Sequence, residues 1–105
     1  MNIKEKDWKL LRKNLPYWQK RYMEQVCQKY ISVLSEDAPA SARFWTLDKE
    51  MKKDKKNPGV LVTDLRRSTA LFLIADLAKN KVITEDELHE FSDDTVFFVH
   101  KYLED

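Results

Sequence analysis

Apolar residues recur at helical spacing over most of this chain, and the register breaks at a few polar clusters. Trp18, Tyr22, Val26, Tyr30 and Val33 fall on one stripe, and Met23, Cys27, Ile31 and Leu34 beside it widen the expected buried face. That pattern predicts a helix from about Leu15 to Leu34, with Asn14 as its cap and Pro16 in its first turn. Asp7 to Lys13 then reads as a short preceding helix, or as an arm anchored by Trp8 and Leu11. Next, Ala40, Phe44, Leu47 and Met51 line the expected buried face of a second helix, with Trp45 at its edge. Pro58 and Gly59 stop it.

The second half is patterned more strongly. Asp64 to about Lys79 reads as a helix capped by Thr63 and ended by Asn80 in a left-handed conformation. Its middle, Ala70 to Ala75, is apolar on nearly every side, which places it at the centre of the fold. In V-I-T-E-D-E-L, Thr84 and Glu87 have the spacing of a capping box, with Ile83 and Leu88 at the staple positions. A helix from Glu85 to about Leu103 follows, its stripe carried by Leu88, Phe91, Thr95, Phe98 and Tyr102. Ser92-Asp93-Asp94 offers a second cap, so a kink or break near Ser92 is compatible with the pattern.

The expected fold is therefore all-α: one compact domain over 1–105, a bundle of four main helices, with a short extra N-terminal helix as an option. Short connections favour up-and-down neighbours, and an orthogonal packing stays open. Composition agrees, since one Gly and three Pro are too few for an all-β chain of tight turns. The longest apolar run, Ala70 to Ala75, is far below the roughly 20 residues of a membrane span. The opening MNIKEKDWK lacks the apolar segment of a secretory signal. Cys27 is alone, so no internal disulfide forms. These features suit a cytoplasmic protein with no membrane association.

Charge changes the picture in one respect. Residues 1–56 carry 14 Lys+Arg against 8 Asp+Glu, and residues 57–105 carry 5 against 10. A basic half invites a nucleic acid or an acidic partner, through Lys9, Arg12, Lys13, Lys20 and Arg21, or through Lys52, Lys53, Lys55 and Lys56. Trp8 and Trp18 stand beside the first group and are candidates to stack on bases. The plainer account is that basic helix ends and acidic helix starts complement their own dipoles. A helix-turn-helix reader is disfavoured, because Glu85, Asp86, Glu87 and Glu90 would meet phosphate. Arg66 and Arg67, at an expected helix start, form a candidate anion site, against the plainer reading of ion pairs to loop acids.

Catalytic chemistry finds little support. His89 and His100, eleven residues apart on one continuous helix, would stand about 16 Å apart, too far to share a metal. Cys27 lies in an apolar stripe and reads as a buried, inert thiol. No Gly-rich phosphate loop or nucleophile elbow is present. The expectation is a non-enzyme with no cofactor and no metal.

The segments NIKEKDWK, LPYWQKRYME, KKNPGV, and VITEDEL followed by FSDD resemble a set of small bacterial proteins of unknown function. The resemblance spans nearly the whole chain and implies a compact intact domain with no assigned activity. With three Trp, four Tyr and five Phe, the chain holds more aromatics than a four-helix core readily hides. Some are expected in an exposed patch, with Tyr17, Trp18, Tyr22, Trp45 and Tyr102 as candidates. The leading expectation is an interaction or regulatory protein that self-associates or docks on another protein. The alternative is a nucleic-acid-associated accessory protein using the basic half.

Overall fold

A computed structural model describes residues 2–104. It is all-α, with α1 (Glu5–Leu34), α2 (Ala40–Asp54), a 3₁₀ turn (Arg67–Thr69), α3 (Ala70–Lys79), α4 (Glu85–Leu88) and α5 (Asp93–Glu104). No strand occurs among the described residues, and no helix is long and apolar enough to cross a membrane.

One helix runs where the sequence predicts a short element followed by a longer one. Pro16 lies inside α1 instead of at a helix start. An interior proline costs about 3 kcal/mol by removing a hydrogen bond and crowding the previous turn. Here its ring faces water, while Trp8, Leu11, Leu15 and Trp18 on the opposite side are all buried. Burying four such side chains at roughly 1.5–3 kcal/mol each outweighs the proline. Asn14 caps nothing. Its side-chain amide instead donates to the Leu10 carbonyl at 3.0 Å, inside the helix.

The core of the head gathers α1's first half with α3, α4 and α5. Leu11, Ile74, Leu77, Leu88 and Val99 are fully buried in it. α3 is central, as its all-round apolarity predicts, yet it starts at Ala70 rather than Asp64. Asp64 lies in the non-helical stretch before it, where its carboxylate pairs with the Arg66 guanidinium at 2.6 Å and the Arg66 backbone is extended. At the other end, the Val82 N–H donates to the Leu77 carbonyl and Lys81 N–H to that of Ala78, a complete Schellman motif. The left-handed residue is Lys81, with φ 59°, not the predicted Asn80. Asn80 stays right-handed because its side chain is engaged with the Asp76 carbonyl at 2.8 Å.

α4 opens on the predicted capping box, with both the Thr84 and Glu87 bonds formed. The chain then breaks at Ser92. The cause lies in α1: buried Asp7 accepts bonds from the Ser92 N–H (2.9 Å), the Ser92 hydroxyl (2.5 Å) and the Thr95 hydroxyl (2.7 Å). A continuous helix would keep the Ser92 N–H for its own ladder. Burial pushes the Asp7 carboxyl up, but these three donors prevail and hold it below its usual range.

Beyond the head, α1's second half continues alone with α2 alongside it as an antiparallel arm. The molecule measures 51 × 28 × 24 Å with a radius of gyration of 16.1 Å, against about 13 Å for a globular chain of this length. The loop after α2 pins the arm's base. Asn57 donates to the Tyr22 hydroxyl at 3.0 Å, and Gln19 donates to the Pro58 carbonyl at 3.0 Å. Gly59 sits so close that a Cβ would lie 2.5 Å from the Tyr22 ring, so only glycine fits there.

Candidate functional site

The arm has two unequal sides. Its helices meet along Val26, Tyr30 and Val33 of α1 and along Leu47, Glu50 and Asp54 of α2. Few contacts hold it. Asp54 accepts from the Tyr30 hydroxyl at 2.6 Å and from Lys29 at 2.7 Å, and Lys29 also reaches Glu50 at 3.3 Å. Burial raises the Asp54 carboxyl's pKa, yet these donors carry it lower on balance. Both burial and the neighbouring carboxylate push the Tyr30 phenol up.

The flank row of each helix, about 100° around from that seam, is Met23, Cys27, Ile31 and Leu34 on α1 and Phe44 and Met51 on α2. Antiparallel neighbours related by a two-fold turn flanks of equal sign to the same side, so the two rows form one surface. All six side chains are exposed, Phe44 at 59% and Ile31 at 55%. The rows continue into Lys20 and Glu24 on α1 and Asp48 and Lys55 on α2, two cations and two anions.

This reverses part of the sequence reading. Phe44 and Met51 were expected to face a core, and Met23, Cys27, Ile31 and Leu34 to widen a buried face. All six are open because α2 covers only one edge of the broad apolar stripe on α1, and among the described residues no third helix reaches the other edge. Of the candidate interface aromatics, Tyr17 (61%), Trp45 (64%) and Tyr102 (41%) are exposed. Trp18 is not available: it is core, packed 6.2 Å from Phe91. Tyr22 is half-buried against the loop. Trp45 packs edge-on against Phe44 at 4.9 Å, adjoining the arm's apolar side. Tyr102 belongs to a separate ring cluster with Phe72 and Phe98.

The basic candidates fare differently from one another. Arg21 is consumed in the head, where its guanidinium grips Glu87 at 2.7 and 2.8 Å and donates to the Val82 carbonyl. That grip, with the Thr84 amide, lowers the Glu87 pKa to about 2. Arg12 lies over the Trp8 ring, and Lys52 pairs with Asp48. Lys9, Lys13, Lys20, Lys53, Lys55 and Lys56 are exposed. Trp8 and Trp18 are buried and offer no stacking face. Arg66 and Arg67 pair with Asp64 and Glu5, and no α-helix starts at either.

The largest correction concerns the histidines. The break at Ser92 folds α5 back on α4, so the His89 and His100 rings lie 5.9 Å apart between centroids, not 16 Å. Both Nε2 atoms approach the same oxygen of Glu85, His89 at 3.1 Å and His100 at 2.6 Å. The Ser92-Asp93-Asp94 signal marked the break, but nothing in the spacing revealed how far the chain turns there.

No family model matches this chain, and neither a curated protein nor a solved structure is found similar to it.

Proposed function

We propose that this is a non-enzymatic interaction protein that self-associates through the helical arm. The observation that carries the reading is the arm's one-sided apolar surface, projecting from a head that already has a closed core. An antiparallel helix pair with one apolar side is half of a four-helix bundle, and a second arm supplies the other half by two-fold symmetry. The flanking charges sum to zero and do not repel a second copy. The occupant favoured by this chemistry is therefore another molecule of the same chain. The nucleic-acid reading has no comparable support, since its stacking aromatics lie in the core and Arg21 is committed to Glu87.

Light scattering after size exclusion tests the proposal, comparing the native chain with the F44S/M51S double variant. A native dimer that becomes a monomer in the variant, with the head's unfolding midpoint unchanged, supports it. A native monomer up to hundreds of micromolar, or a dimer indifferent to both substitutions, overturns it. Co-eluting nucleic acid released by salt would favour the alternative instead.

A further inference from the structure

A second feature, independent of the arm, points to metal chemistry. The Glu85 carboxylate and the His89 and His100 imidazoles each offer one donor atom, and these atoms all lie within 4.8 Å of one another. A metal bound tetrahedrally at about 2.0–2.2 Å from each ligand needs donors roughly 3.2–3.6 Å apart. The observed 2.6 and 3.1 Å contacts from the histidines to Glu85 widen to that spacing with small side-chain rotations.

The backbone beneath these side chains is fixed. Glu85 is the first residue after the Thr84 cap, and His89, the residue that closes α4, stands one turn on with helical backbone, so the two side chains fall on one face. His100 is delivered by α5 next to fully buried Val99, and α5 is held in place by the Asp7 bonds at the Ser92 break. All three ligands are exposed, leaving room for water or another donor to complete the coordination.

We propose that Glu85, His89 and His100 form a surface site for a borderline divalent transition metal, with Zn²⁺ as the best-suited ion. Two imidazoles and one carboxylate suit Zn²⁺, Co²⁺ and Ni²⁺, whereas Ca²⁺ and Mg²⁺ demand oxygen ligands. The site accounts for a carboxylate and two histidines converging from three turns of chain on a solvent-facing surface.

The test uses the full chain without a histidine tag, titrated calorimetrically with ZnCl₂ and separately with CaCl₂. One equivalent of Zn²⁺ per chain is expected, with Ca²⁺ far weaker. Altering partners that merely orient a ligand costs about 10–100-fold, so H100A or H89A should weaken Zn²⁺ by at least about 100-fold. Circular dichroism of each variant confirms that the exposed substitution leaves the helices intact. Co²⁺-induced NMR shifts centred on Glu85, His89 and His100 would locate the ion independently. Absence of Zn²⁺ binding, equal affinity for Ca²⁺, or Zn²⁺ binding unchanged in H89A and H100A would each overturn the proposal.

Discussion

Head and arm share one continuous helix, α1, and are stabilised in different ways. In the head, α1 is covered by α3, α4 and α5, and its inward residues Leu11, Leu15 and Trp18 are nearly inaccessible. In the arm the same helix has a single neighbour, and only Val26 and Val33 among its apolar residues are buried. There the neighbour itself buries a carboxylate, Asp54, and no apolar side chain. One helix can thus belong to a closed core at one end and present an open surface at the other. The number of elements around it decides which, not its own sequence pattern.

The contrast is broken most severely by removing Asp7. Asp7→Ala leaves the Ser92 amide and two hydroxyls without their partner, and a loss of about 4 kcal/mol is expected in urea unfolding of the head. A loss below about 1 kcal/mol would mean that the Ser92 break does not depend on this carboxylate. Next comes Leu11→Ala, at about 3 kcal/mol, because the site is sealed on all sides. Phe44→Ala in the arm should change the unfolding of the separated monomer by no more than about 0.5 kcal/mol. Similar costs at these two positions would abolish the distinction between core and surface.

Acid sharpens the comparison further. The Glu87 carboxyl is shifted from 4.5 to about 2 in the folded head, so its pairing with Arg21 stabilises the fold fully above pH 4.5. That contribution, on the order of 2 kcal/mol, is lost as pH falls from 4.5 towards 2, and an Arg21→Met variant should lose most of this dependence, the Thr84 bonds keeping the remainder. A smaller effect than that of acid belongs to the seam of the arm. Tyr30→Phe removes one bond to Asp54, costing about 1 kcal/mol or less, and should speed amide exchange in α2 while leaving α3 protected. Equal acceleration in α3 would show that head and arm open together.

Much of the fold was legible because local rules and packing agreed. The Thr84–Glu87 capping box and the apolar centre of α3 were both written in spacing. The reading failed where a distant partner decided the outcome. Pro16 marks a helix start by local rules, but the buried row from Trp8 to Trp18 carries the helix through it. Ala40, Phe44, Leu47 and Met51 have core spacing, and spacing cannot say whether the face they form meets this chain or another. The histidine cluster was hidden for a related reason, since a break tells where a helix stops and not where the chain goes next.

The grip of Asp7 on Ser92 and Thr95 has a consequence for the order in which the protein comes into being. Asp7 and Ser92 are 85 residues apart, so synthesis delivers the acceptor long before its donors. Until Ser92 and Thr95 emerge, α1's first half carries a carboxylate meant for burial, and its row of large apolar side chains has α3 and α4 but not yet α5 to cover it. The arm, made of neighbouring segments, is complete by then. The arm therefore closes before the head, in which α1 must wait for α5.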